Sequence, residues 1–435
     1  MQASRFTFLI STLATRLESC RWSEDDVGRL LRHHLPPAFQ RDAGSLTNSL
    51  IAEFPQSYAP DADRIASILF EHPIMIRVFK HCAKADSWPS IPLEPPRMQP
   101  VSPFDALELP ALNTVGDLAD WLLLTPEQLD AFADRNGWRE MHPMPGVNNY
   151  FYRMSPKSSG GMRLIEAPKP RLKSLQRLIN HRILAKVPVH PDSFGFVRKR
   201  NCIGAAQRHA GEEVVICLDL KNYFNNIRYG RVYAFFRHLG YPVSVAHSLS
   251  GICTIVTPSR IRRRMPFDQR QALMDPHLPQ GAPTSPALAN LLTYRLDRRL
   301  AGLARSLGAN YTRYADDLTF SGDGDVRDAV LTTVPEIVEN EGFKLRSGKT
   351  RVMLRHQRQM VLGLVVNETL NISRKEFERL KAIIHQQAWK DDPAELDRVL
   401  GQIGWVEQVN SSKAQKLYAK LEFAKAQVQV ANRST

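Results

Sequence analysis

Residues 311–321 read YTRYADDLTFS, and this stretch decides the fold. Strand-forming residues flank a polar centre on both sides, so the segment is a β-hairpin with Asp316 and Asp317 at its tip. Two adjacent carboxylates on a tight turn repel each other, a poor arrangement unless a cation neutralises them. On its own an Asp-Asp pair is most often a solvated turn. A second acid, Asp219, closes the apolar run Val214-Val215-Ile216-Cys217-Leu218. Burying it there without compensation is costly. Laid beside the hairpin, that strand brings three carboxylates together. Such a set suits two magnesium ions about 3.5–4 Å apart, which activate an attacking hydroxyl and stabilise a leaving pyrophosphate.

Between the two acidic strands lies LPQGAPTSP, residues 278–286, followed by a helical pattern over 287–301. Gly281 and the prolines make a stiff loop running into a helix N-terminus, where a phosphate-bearing ligand can come close. Further out, short β-rich runs at 162–165, 214–220, 311–320 and 360–366 alternate with helical stretches such as 171–185. This is an α+β pattern built on an antiparallel sheet. The last 60 residues read as helices rich in Lys and Arg. Ahead of residue 150 the texture is helical. Segments 45–54 and 61–79 carry apolar residues at three-to-four spacing. Pro89, Pro92, Pro95, Pro96, Pro100, Pro103 and Pro110 then form an extended, semi-rigid linker. Beyond it, Thr114 and Thr125 are N-caps of two short helices. The organisation expected is a helical N-terminal extension over 1–100, a helical connector over 101–149, a catalytic region over 150–370 and a helical region over 371–435.

Composition excludes some classes. The 435 residues are 43% hydrophobic and 23% charged, as in a globular chain, and no apolar run is long enough for a membrane span. The N-terminus lacks a signal-peptide pattern, so a cytoplasmic location is expected. The five cysteines are scattered and form no CxxC pair, which suggests neither a disulfide frame nor a zinc site. The net charge of +14 is unevenly placed. Residues 1–140 hold 13 Lys and Arg against 19 Asp and Glu, and the remainder 45 against 25. A basic excess confined to one region points to a polyanionic partner, namely nucleic acid.

The order LDLKNYF (218–224), LPQGAPTSP (278–286), YADD (314–317), GFKLRSGKT (342–350) and VLGLVVN (361–367) resembles the palm motifs of reverse transcriptases, nearest to the bacterial retron-type branch. Upstream, SSGGMRLIEAPKPRLKSLQ (158–176) and FGFVRKRN (194–201) are similar to the finger motifs of the same family. The resemblance covers roughly residues 112–430 and implies a right hand of fingers, palm and thumb. It makes Asp219, Asp316 and Asp317 the acids for two Mg²⁺ (or Mn²⁺ as substitute), with the Leu220 carbonyl as a further ligand. Phe224 matches the gate that rejects a ribose 2′-hydroxyl, although a core aromatic has the same pattern and Tyr223 stands beside it. Gln280 matches a contact to the incoming dNTP, and Arg163 a clamp on its triphosphate; Lys157 could assist it but reads better as a solvated lysine. Lys349 sits where the family places a general acid, and Tyr314 abuts the primer end. Arg198, Lys199, Arg200 and His209, with Arg262 and Arg263 of the basic run 260–264, are expected to contact RNA or template. The C-terminal helices correspond to a thumb that grips duplex.

The likeness to retrons implies a dedicated structured RNA, priming from a 2′-hydroxyl within it, RNA-linked single-stranded DNA (msDNA), and a role in defence against phage. Two features depart from that branch. Ala205-Ala206-Gln207-Arg208-His209 replaces an Asn-Ala-x-x-His pattern, and Val361-Leu362-Gly363 replaces Val-Thr-Gly. Two other readings stay open: a defence-associated reverse transcriptase outside the retrons, and a catalytically idle RNA-binding scaffold. Residues 1–100 lie outside the basic region, and an effector protein is expected there rather than RNA.

Overall fold

The computed structural model describes residues 2–56, 58–134, 148–156, 162–387, 389–390 and 392–433. The chain forms two compact units, Met1–Pro188 with Ile227–Leu288, and Val189–Asn226 with Ala289–Thr435.

In the first unit, helices Gln2–Glu18, Glu24–His34, Ala43–Glu53, Ala62–Glu71 and Pro73–Ala85 enclose Leu13, Leu17, Leu31, Leu46, Leu50 and Ile65. Glu24–His34 shows how locally this is specified. Ser23 accepts from the Asp26 amide as N-cap, three acids occupy the first turn, and Arg32, His33 and His34 the last. Those charges complement the helix dipole at both ends. The single helix expected over 61–79 is two helices. At His72-Pro73 the proline starts a new first turn, and His72 caps it by accepting from the Ile74 amide. Pro73 has no amide with which to continue the previous ladder.

The proline-rich run is extended and pinned: the Gln99 amide donates to the Gly240 carbonyl (2.8 Å) and the Val101 amide to that of His238 (3.1 Å). Gly240 has φ +92°, and a Cβ there would overlap Pro100. Thr114 and Thr125 each form a full capping box, with Asp117 and Gln128. Strands β1 (Tyr150–Pro156) and β2 (Met162–Pro168) pair antiparallel, with Arg163 opposite Ser155. Lys157 lies outside the described residues.

The second unit is built on an antiparallel sheet. Strands β3 (Val214–Asp219), β4 (Asn310–Tyr314), β5 (Asp317–Gly322) and β6 (Arg351–Leu354) run in the order β4-β5-β3-β6. All six residues of β3 are buried because both faces are covered. Val215 and Cys217 join a core with Met353, Leu364, Leu380, Ile384, Ile403 and Leu417. By the two-residue period of a strand, Val214, Ile216 and Leu218 face the other side. Helix Val326–Asn340 contacts β3 and β5, and helix Tyr294–Ser306 contacts β4. The run at 360–366 is a tight hairpin of β7 (Met360–Val361) and β8 (Leu364–Val365), with positive φ at Leu362 and Gly363. Helices Arg374–Gln386, Pro393–Val409 and Ser411–Arg433 follow. All five cysteines are free thiols. Among the described residues no helix is long and apolar enough to cross a membrane.

Candidate active site

The register of the sheet assembles the acids. Asp219, last in β3, pairs with Asp317, first in β5, and Tyr314 at the end of β4 pairs with the same residue. Ala315 and Asp316 therefore form a two-residue turn. Ala315 sits at φ +56°, a region that side chains other than glycine seldom occupy. Two hydrogen bonds and one close packing contact hold it there. The Leu220 amide donates to the Asp316 carbonyl (2.8 Å), which ties the turn to the end of β3. Arg313 Nη1 donates to the Ala315 carbonyl (3.2 Å). Gly195 lies so close that an added Cβ would stand 2.6 Å from the Ala315 nitrogen.

The charges of the site are polarised. Asp219 is 5% exposed and lies between two cations. Lys349 Nζ donates to its Oδ2 at 2.8 Å, and Arg346 Nε stands 2.8 Å from Oδ1 as an ion pair off the hydrogen-bond line. Among the described residues, Asp316 and Asp317 have no such ion-pair partner. Burial, and then the charge of Asp219, raise the Asp316 carboxyl above its ordinary range. Burial followed by the charges of Asp316 and Asp219 pushes Asp317 up to about 6. A cation beside this pair would relieve the repulsion that raises both groups. The donors are hard oxygens, the kind that Mg²⁺ and Mn²⁺ take. Among the described residues no three His, Cys, Asp or Glu side chains already converge as a ligand set, since Asp219 is drawn to Arg346 and Lys349.

Behind the turn lies a buried polar network. Arg313 is fully buried and paired with the equally buried Asp297 at 2.6 Å. Its Nη1 also donates to the Tyr223 hydroxyl (2.9 Å) and to Asn290 Oδ1 (3.0 Å), and Nη2 to Ser193 Oγ (3.1 Å). Tyr223 is thus a buried brace, leaving its neighbour Phe224 as the half-buried ring on this side of the turn. The Phe224 ring lies 6.3 Å from Phe196, and Phe196 lies 6.4 Å from Tyr314.

In the first unit, Arg163 is exposed on β2 and Gln280 half-buried in its loop. The Gln280 carbonyl accepts from the Glu166 amide (2.8 Å), and Gly281 at φ +132° leaves no spare room against the Glu166 carbonyl. Glu166 is itself buried, with Thr257 donating to Oε1 at 2.6 Å and His277 Nε2 lying 3.1 Å from Oε2. Arg262 is half-buried and Arg263 exposed.

One expected RNA contact is corrected. His209 is fully buried, with its ring nitrogens 2.7 Å from Ser321 Oγ and Thr312 Oγ1, so it braces β4 and β5 and is closed to RNA. Burial also pushes its pKa down to about 3, which keeps the ring neutral. Arg200 spends Nη1 on the carbonyls of His190, Pro191 and Ser193, and so fastens a loop. Arg198 and Lys199 stay exposed. Sequence reasoning missed Arg346, Gly195 and the Arg313–Asp297 pair. Only the invariably charged Arg313 between two strand formers carried a local signal, because its partner lies sixteen residues away.

The family model described as reverse transcriptase (RNA-dependent DNA polymerase) matches residues 155–380. The chain is 43% identical over 285 residues to the Retron Mx65 reverse transcriptase of Myxococcus xanthus, covering 63% of this chain and 65% of that protein. It is 34% identical over 290 residues to the Retron Mx162 reverse transcriptase of the same organism (61% and 59% covered). To the Retron Ec86 reverse transcriptase of Escherichia coli it is 31% identical over 281 residues (61% and 80% covered). The match thus spans less than two thirds of the length of the two Myxococcus proteins.

Proposed function

The chain belongs to the reverse transcriptase family, and from that premise we propose that it is an RNA-directed DNA polymerase of retron type. In this reading it copies a dedicated structured RNA into single-stranded DNA joined to that RNA, as part of a defence against phage. The observation that carries the polymerase reading is the turn at Asp316 and Asp317, held against Asp219, with both carboxyls raised by burial and then by neighbouring acidic charge.

Asp219, Asp316, Asp317 and the Leu220 carbonyl would hold two Mg²⁺, or Mn²⁺ in their place. Bound there, the metals would activate the primer hydroxyl and neutralise charge developing on the transferred phosphoryl group. The protein's own contribution is position and field. Arg346 and Lys349 pair with Asp219, and Lys349, 39% exposed, is available to protonate the leaving pyrophosphate. Phe224 excludes a 2′-hydroxyl, and the Tyr223 hydroxyl anchored on Arg313 sets where that ring stands. Arg163 takes the triphosphate, Gln280 the incoming nucleotide and Tyr314 the primer end. Arg198, Lys199, Arg262 and Arg263 take phosphates of template or RNA. The C-terminal helices grip duplex as a thumb. Residues 1–100, with an apolar core of their own and 11 Lys and Arg balanced by 11 Asp and Glu, dock an effector protein.

The experiment is to purify the protein from its host and analyse bound nucleic acid with and without RNase. A single RNA joined to DNA complementary to part of it is the expected result. DNA unrelated to any bound RNA would place the chain among defence-associated enzymes outside the retrons, the reading that the departures at Ala205 and Leu362 favour.

A further inference from the structure

We propose that the exposed ring of Phe196 is a stacking platform for a nucleobase of the bound primer–template. The proposal rests on the polymerase reading and adds to it a binding residue outside the acids, the gate and the finger contacts.

Phe196 is 55% exposed and stands at φ +60°. For a bulky side chain this backbone region is a true outlier, and such residues persist only where their surroundings over-determine them. Here they do. The Phe194 amide donates to the Arg313 carbonyl (2.8 Å), and Asn290 Nδ2 donates to the Gly195 carbonyl (2.7 Å). Arg200 fastens the loop from the other side through three carbonyls. Gly195 packs on the backbone of Tyr314 and Ala315, where no Cβ fits. The same motif tucks Phe194 into the protein at 8% exposure and turns Phe196 outward. Rigid backbone thus carries an apolar ring into solvent, and not through slack in a loop.

Its surroundings identify the occupant. The ring is tilted towards Phe224 and Tyr314, at centroid distances of 6.3 and 6.4 Å. Neither neighbour covers it. Exposed Arg198 and Lys199 follow within three residues and supply charge for a phosphate backbone. An aromatic face beside cations is how sequence-tolerant single-strand sites hold successive bases. With the primer end assigned to Tyr314 in the same unit, the base that remains for Phe196 is on the template strand.

The test uses the full-length protein with DNA primers annealed to RNA templates, without dNTP. 2-Aminopurine is placed in turn at the templating position, one position to either side, and at the primer terminus. Wild type should quench the label at a template position, and Phe196→Ala should lose that quenching and weaken binding on the order of tenfold. Phe196→Tyr and Phe196→Trp should restore both. Because the side chain is exposed, the alanine variant is expected to melt with wild type, which separates stacking from misfolding. Quenching only at the primer terminus, or an alanine variant that binds and quenches like wild type at every position, overturns the proposal. Loss of quenching that aromatic variants fail to restore overturns it as well. Separately, a wild type that shows the quenching yet never extends a primer would overturn the polymerase reading and leave the stacking site standing.

Discussion

The N-terminal helices and the catalytic sheet both bury large cores, and they do so by opposite means. Residues 2–91 pack Leu9, Ile10, Leu13, Leu31, Leu46, Leu50 and Ile65 with few buried polar groups. Those few are mostly self-satisfied: Thr12 and Thr47 each return a hydrogen bond to the carbonyl four residues earlier in their own helix. The catalytic sheet instead encloses Asp219, Asp297, Arg313, His209, Thr312 and Ser321, each satisfied by residues distant in sequence. Apolar area is non-directional and tolerant of repacking. Buried charge is directional, and costly when any partner is missing. The difference teaches where position matters. The helices need only cohere, whereas the sheet must fix a strained turn and, in the proposed mechanism, the Phe224 ring to a fraction of an ångström.

That contrast can be broken most forcefully at Arg313. Replacing it by methionine leaves Asp297 buried and unpaired, and should cost about 3–5 kcal/mol in urea unfolding while abolishing extension. Adding Asp297→Leu should recover much of the stability and none of the activity, because the Ala315 carbonyl and Tyr223 stay unanchored. Recovery of activity would show that the network is only a core. Leu50→Ala, in the N-terminal core, should cost about 2–5 kcal/mol by cavity formation. Extension by the folded fraction should be unchanged, and a specific loss of extension would tie those helices to the chemistry.

A matched threonine pair sharpens the point. Thr312→Val strips His209 Nε2 of its partner and should cost about 1–3 kcal/mol, whereas Thr47→Val removes only an intrahelical bond and should cost less than about 1 kcal/mol. Smaller still is the pH effect. Asp317 titrates near 6 in the folded protein against an ordinary 3.8, so the folded state binds a proton more readily than the unfolded state in that window. Its ionised form therefore weighs on stability above pH 6, and this cost is relieved as pH falls through about 6. Extension should decline over the same interval, and saturating Mg²⁺ should move the decline to lower pH. In Asp317→Asn, this part of the pH dependence of melting should vanish.

The site was legible in sequence wherever chemistry is local. Three acids within strand patterns, and two threonines three residues ahead of Asp117 and Gln128, announce themselves by spacing. What was not legible depends on contacts that spacing does not encode. His209 looks like an exposed RNA ligand until β4 and β5 close over it. The helix over 61–79 was overrun because its apolar period continues through Pro73, where only the missing amide marks the break. Gly195 needs the catalytic turn beside it before its lack of a side chain has meaning.

The most direct measurement is primer extension on an RNA template by Asp316→Ala/Asp317→Ala, with thermal melting recorded on the same preparation. Removing two carboxyls that repel each other should leave melting equal to or above wild type, RNA binding intact, and synthesis abolished. Persistent extension by a well-folded double variant would contradict the assignment of chemistry to this turn.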